Sequence, residues 1–145
     1  MKRVVIGALL IVAISAGVWA QKQGKSWDNK STQAAQQSAL DWLALVDKGD
    51  YGASYDQAAS LFKAAITKDD WTQKIRAVRA PFGKVLSRKL KTERFTTQLP
   101  GAPDGEYVII QYDTSFENKQ SAVETIVPML DKKDGQWRTS GYFIK

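Results

Sequence analysis

Asp113 and Glu124 lie in two adjacent strand-like runs, Glu106 to Phe116 and Ser121 to Asp131, joined by the turn Glu117-Asn118-Lys119-Gln120. If Phe116 pairs with Ser121 across that turn, Asp113 faces Glu124. Like charges directly opposed on a sheet are unfavourable. Two carboxylates that close can share one proton, one of them titrating high, and then serve as acid and base. Tyr112 and Tyr142 add phenolic hydroxyls, which completes the candidate catalytic group: Asp113, Glu124, Tyr112 and Tyr142. The structural alternative is that a Lys or Arg, or exposure at the sheet end, neutralises both charges.

Composition removes most other chemistry. The 145 residues include no His and no Cys. That excludes imidazole-dependent relays, cysteine nucleophiles, disulfide scaffolds and zinc fingers. No phosphate loop, dinucleotide fingerprint or calcium-loop spacing occurs. Asp69-Asp70 suits the dipole of a helix start better than a metal. Neither a cofactor nor a metal is expected.

Lys84, Arg88, Lys89, Lys91 and Arg94 crowd one strand-like segment, with only Glu93 against them. Arg88, Lys89, Lys91 and Arg94 are the candidate anion-binding group. A lysine-rich strand also protects a sheet edge from strand-to-strand aggregation. Nucleic acid is not an expected partner: the formal charge is a modest +6, and no aromatic platform interleaves with the cations.

The first twenty residues have the pattern of an export signal. Lys2 and Arg3 precede an uncharged run from Val4 to Val18, and Val18-Trp19-Ala20 fits a small-x-small cleavage site. The expected mature chain begins after Ala20 and is periplasmic or secreted. If the segment is kept, it is an anchor, and the membrane is touched only there. No Cys follows the run, so a bacterial lipid-anchored form is excluded.

Residues 21–33 read as a flexible polar lead, with Trp27 its only large apolar residue, and residues 34–145 as a single domain. Ala35, Ala39, Trp42, Leu43 and Val46 recur at helical spacing, and Gly49 can supply a left-handed stop. A second helix is predicted from Tyr51 to Ile66, burying Tyr55, Ala58, Ala59, Phe62 and Ile66. A third follows a Thr67 cap, carries Trp71, Ile75 and Val78 on one stripe, and stops at Pro81. Strands follow over Val85 to Thr97, Glu106 to Phe116, Ser121 to Asp131 and Trp137 to Ile144, the last two joined by a hairpin at Asp134-Gly135. Helices followed by an antiparallel meander predict an α+β fold: N-terminal helices packed on a four-stranded antiparallel sheet.

That pairing, with Lys133 opposite Gln136, places Val108, Ile110, Tyr112, Phe116, Val123, Val127, Met129, Tyr142 and Ile144 on one face. Tyr107, Ile109, Gln111, Asp113, Glu124, Ile126, Leu130, Trp137 and Phe143 fall on the other. The first suits the helices. The second is still apolar enough to need cover, so Tyr107, Gln111, Trp137 and Phe143 form a candidate ligand or partner face. A homodimer through the sheet, a small ligand and an envelope protein are the occupants considered. A one-residue slip exchanges the faces, and Pro128 requires a bulge or a free edge.

The run Leu99-Pro100-Gly101-Ala102-Pro103-Asp104-Gly105-Glu106-Tyr107, the segment Asp113-Thr114-Ser115-Phe116-Glu117-Asn118-Lys119, and the ending Gly135-Gln136-Trp137-Arg138 to Gly141-Tyr142-Phe143-Ile144 resemble domain-of-unknown-function family 4019, a family of small exported bacterial proteins. Phe82-Gly83-Lys84-Val85 and Ser87-Arg88 fit its pattern too, and the likeness covers about residues 34–144. The layout is similar to the cystatin-like or nuclear-transport-factor-2-like cone. That likeness implies helices and a curved sheet around a pocket, with sheet-mediated dimers common. Enzymes of the latter superfamily often use Asp-His pairs, which this chain lacks. The function expected is a non-catalytic ligand- or protein-binding module of the cell envelope. The alternative is a carboxylate-based hydrolase or isomerase using Asp113 and Glu124 in a cone pocket.

Overall fold

The computed structural model of the chain describes residues 29–145. The export signal at 1–20, and residues 21–28 with Trp27, lie outside the described residues. Among the described residues four helices come first: α1 (Asn29–Asp47), α2 (Tyr51–Gln57), α3 (Ser60–Ala65) and α4 (Lys68–Arg79). A 3-10 turn over Ala80–Phe82 leads into strands β1 (Val85–Thr96), β2 (Tyr107–Phe116), β3 (Lys119–Asp131) and β4 (Gln136–Ile144). The strands form one antiparallel sheet in the order β1-β2-β3-β4, so the α+β architecture with helices on a four-stranded meander holds.

Helix α1 buries Ala35, Ala39, Trp42, Leu43 and Val46, the stripe that its periodicity predicts. It starts at Asn29, so residues 29–33 of the polar lead are helical. Gly49 follows it at φ 79°. The second predicted helix is instead two. Ala58 and Ala59 are extended, at ψ 163° and 153°, because their neighbourhood bonds to the sheet. The Ala59 N–H donates to the Thr139 carbonyl at 2.8 Å. The Ser60 N–H and hydroxyl both donate to Asp131 Oδ2 at 2.7 Å. Two alanines favour helix locally, and these long-range bonds override them. In α4 the Thr67 hydroxyl accepts from the Asp70 N–H at 3.2 Å, which is the cap the sequence predicts. The buried stripe of α4 is Trp71, Ile75 and Arg79. Val78 is 46% exposed, so the stripe continues at i+4 and ends on a cation.

The helices pack on one face of the sheet. A single cluster joins the α1 stripe, Tyr51, Phe62, Trp71 and Ile75 to Val108, Ile110, Tyr112 and Ile126. Burying each large apolar side chain is worth about 1.5–3 kcal/mol. A smaller cluster holds Ala59, Tyr107, Val127 and Met129, with Leu99 and Ala102 of the β1–β2 loop packed against it. The chain therefore covers one end of its second apolar sheet face with its own loop.

The register differs from the predicted one. Phe116 pairs with Lys119, Tyr112 with Glu124, and Asp113 with Val123. The β2–β3 turn is the tight pair Glu117-Asn118. The N–H groups of both residues are bound at 2.9 Å, to the Lys84 and Phe82 carbonyls. The resulting slip exchanges the faces of β3: Ala122, Glu124 and Ile126 point toward the helices with Tyr112, while Val123 and Val127 point away. The last hairpin closes at Asp131 opposite Gln136 rather than at Lys133, because its four-residue turn carries Gly135 at φ 69°. The irregularity required at Pro128 is present: Val127 pairs with Gly141 and Pro128 with Thr139, leaving Ser140 as the extra residue.

Candidate functional site

Glu124 is fully buried. The Arg88 Nε donates to its Oε1 at 2.7 Å, and Nη2 to Oε2 at 3.3 Å. The Thr114 hydroxyl donates to Oε1 at 2.6 Å, and the Tyr142 hydroxyl donates to Oε2. The sheet places these groups: Arg88 pairs with Thr114 across β1–β2, and Tyr142 pairs with Ile126, two residues along from Glu124. The chain of charges continues into the helices. Arg88 Nη1 and Nη2 donate to Asp47 at 2.8 and 3.0 Å. Arg79 Nη2 reaches Asp47 at 3.1 Å and Nη1 reaches the Gly83 carbonyl at 2.6 Å. The Arg79 guanidinium also lies 4.2 Å from the centroid of the Phe116 ring.

Two guanidinium groups and two carboxylates thus alternate from Arg79 to Glu124, and their charges cancel. Burial works against the Arg88 charge. Its bonds to Asp47 and Glu124 outweigh that, and the guanidinium is held above its ordinary value. Burial, then the Glu124 charge, pushes the Tyr142 phenol up. Burial also raises Tyr112, with Arg88 opposing it. Both Glu124 oxygens are taken by hydrogen bonds and neither meets solvent. The group ties the sheet to the helices through Arg88 and Asp47.

The predicted catalytic pair does not form. Asp113 points to the opposite sheet face, is exposed, and pairs with Lys91 at 3.1 Å. Tyr112 and Tyr142 gather on the helix side with Glu124, without Asp113. The predicted anion group is divided as well. Arg88 turns inward to Glu124 and Asp47, Lys91 serves Asp113, and Lys89 and Arg94 are exposed on β1.

The predicted ligand or partner face splits for a definite reason. Gln111, Thr125 and Phe143 form one cross-strand row. There the Thr92 hydroxyl donates to Gln111 Oε1 at 3.1 Å, and Gln111 Nε2 donates to the Thr125 hydroxyl at 3.2 Å. Phe143 is 63% exposed at its end. Tyr107 lies under the β1–β2 loop and donates its hydroxyl to the Pro103 carbonyl at 2.6 Å. Burial, with the Asp104 charge, pushes its phenol up. Trp137 packs against the helix-side cluster. The extra Ser140 lies between Trp137 and Phe143 and reverses their faces.

Asp47, Arg79 and Thr114 complete the charge network and are not among the candidates that the sequence offers. Arg79 carried a signal, since it continues the Trp71–Ile75 stripe at i+4. Asp47 is four residues beyond Leu43 and extends the α1 stripe in the same way. Thr114 carried none, because its role depends on a strand register that only the folded sheet sets.

Trp137 lines a groove of about 640 Å³ between α1 and the start of β4. Trp42 is beside it, with Gln37, Ser38 and Asp41 from α1, Gln57 at the end of α2, and Gln136 and Arg138 from β4. The groove is built rigidly. Trp42 donates Nε1 to the Ser54 carbonyl at 2.7 Å and packs against Trp71 and Tyr142, with ring centroids 5.7 and 5.3 Å away. The Ser38 hydroxyl donates to the Trp137 carbonyl at 2.6 Å, joining helix to strand. Arg138 bonds Asp134 at 2.7 Å and the Gln57 carbonyl at 3.2 Å. A smaller cavity of about 240 Å³ lies by the charge cluster, lined by Asp47, Arg79, Lys84 and Glu117 among others. Among the described residues, no group of three or more acidic side chains could hold a metal ion, and no helix is long and apolar enough to cross a membrane.

No curated protein matches the chain. A family model described as protein of unknown function (DUF4019) matches residues 38–142, a span that includes Arg88, Glu124, Tyr142, all but the last two residues of the sheet and most of the groove. The chain therefore belongs to the DUF4019 family.

Proposed function

We propose that this family member is an exported, non-catalytic binding module of the cell envelope, with its ligand seat in the groove between α1 and β4. The groove itself carries the reading: two tryptophans held from behind by the core, with polar side chains around them, in a volume typical of ligand sites. The separation of Asp113 from Glu124 supports a non-catalytic role, since the carboxylate mechanism needs them together. Lys2, Arg3, the uncharged run after them and the Ala20 site support export.

The test is a scan of the purified chain against a broad library of small polar molecules and peptides, read by melting temperature and tryptophan fluorescence. A ligand whose effect disappears in Trp137→Ala is the expected result. A library without hits, or hits indifferent to that substitution, would overturn the reading. Mass spectrometry of protein from the envelope tests export: a chain starting at Gln21 is expected, and one starting at Met1 defeats the cleavage.

The exposed Phe143, at the end of the Gln111–Thr125 row, favours a second contact. We infer that a sheet-mediated homodimer would centre there. Sedimentation in which wild type and Phe143→Ser are both monomeric at high concentration removes it.

A further inference from the structure

We propose that the α1–β4 groove takes a neutral oligosaccharide; this rests on the binding-module reading above and names its ligand class. Three features favour a sugar. Trp137 is half-buried, its side chain packed against the helix-side cluster and its backbone tied to Ser38, so it offers a flat aromatic surface at little cost in conformational freedom, the kind of surface on which the C–H face of a pyranose ring stacks. Gln37, Gln57 and Gln136 line the same groove. Each amide has both donor and acceptor atoms, matching hydroxyl groups that must do both. The two charged side chains of the lining are already engaged, Arg138 on Asp134 at 2.7 Å and Asp41 by the Gln37 amide at 2.8 Å, so the groove offers no free charge to an ionic ligand.

An extended peptide is the natural rival beside a sheet edge, because it can add as a further strand. Here that edge is already occupied. The Trp137 carbonyl accepts from Ser38 at 2.6 Å, and the Thr139 carbonyl accepts from the Ala59 N–H at 2.8 Å. A peptide laid in the groove would find these two carbonyls of β4 already engaged. A sugar needs only the aromatic surface and the side-chain amides.

The experiment titrates the purified full chain with malto-, cello- and chito-hexaose by calorimetry at low and high salt, alongside a mixed peptide library. At least one hexaose should bind, with an affinity unchanged by salt. The affinity should fall at least about tenfold in Trp137→Ala and stay within a few-fold in Trp137→Phe. Gln136→Ala, at an exposed position, provides a second variant and should weaken binding without lowering the melting temperature. No saccharide binding, saccharide binding indifferent to both variants, or strongly salt-dependent binding each overturns the proposal. Peptide binding that Trp137→Ala abolishes overturns the sugar and keeps the binding module. Absence of any ligand at the groove overturns both.

Discussion

Arg88 and Glu124 meet across an intervening strand, Nε to Oε1 at 2.7 Å, with the carboxylate fully buried. A buried pair contributes less to net stability than its contact suggests, because both ions lose their hydration. Removing one partner is different, since it strands a charge. Arg88→Met should therefore cost about 3–5 kcal/mol. The double variant Arg88→Met/Glu124→Met should lose less than Arg88→Met alone. Urea denaturation of the three proteins measures both quantities. A double variant as unstable as Arg88→Met would mean that Glu124 is not the charge being stranded.

The Tyr142 phenol donates to the same carboxylate, and this gives the fold an alkaline limit. Its folded value is raised above the ordinary 10.0. Its contribution is therefore complete below pH 10 and is lost as pH rises, because the unfolded chain releases the proton first. Stability should fall with pH above about 10 in the wild type and fall less steeply in Tyr142→Phe. Equal alkaline slopes for the two proteins would contradict this.

Particular residues show how far sequence could go. The α1 stripe from Ala35 to Val46 and the Thr67 cap were legible because both depend on neighbours within a turn or two. The break at Ala58-Ala59 was not, because its cause is Thr139 and Asp131, far along the chain. The site was less legible than the fold. A Phe116–Ser121 pairing puts Asp113 and Glu124 on one face, and the tight Glu117-Asn118 turn moves Glu124 to the other. The sequence marks Trp137 as a candidate contact residue. Its face depends on the extra Ser140, which no alternation of side chains reveals. Periodicity fixes which residues share a strand face, and turn lengths and bulges decide where each face goes.

Gly83 and Gly49 share a positive φ, 75° and 79°, and Gly83 combines it with ψ −155°, a region essentially restricted to glycine. A Cβ at Gly49 would meet nothing within 4 Å, whereas one at Gly83 would lie 2.6 Å from Glu117 Oε2 and 3.0 Å from its Cβ. Gly49→Ala should cost about 1–2 kcal/mol for the left-handed conformation alone. Gly83→Ala should cost more, because it also presses on the β2–β3 turn and loosens the carbonyl that holds Arg79. Chemical denaturation of both variants tests the order, and equal losses would show that the turn yields freely.

Asp131 ends β3 and breaks the helix that local propensity would continue from α2 into α3. Burial alone would raise its carboxyl. The N–H groups of Lys133 and Ser60, together with the Ser60 hydroxyl, outweigh that and hold it below the ordinary 3.8. A depressed folded value means that the stabilisation is present above the unfolded carboxylate range and is lost as pH falls toward and through the folded value. Asp131→Asn should therefore lower stability at pH 7 and flatten the acid limb of the stability curve below about pH 4. It should also free Ala58 and Ala59 to become helical, so the variant's helical circular dichroism should hold or rise while its melting temperature falls. A variant with unchanged stability at pH 7 and an unchanged acid limb would show that the Ser60 contacts do not hold the break.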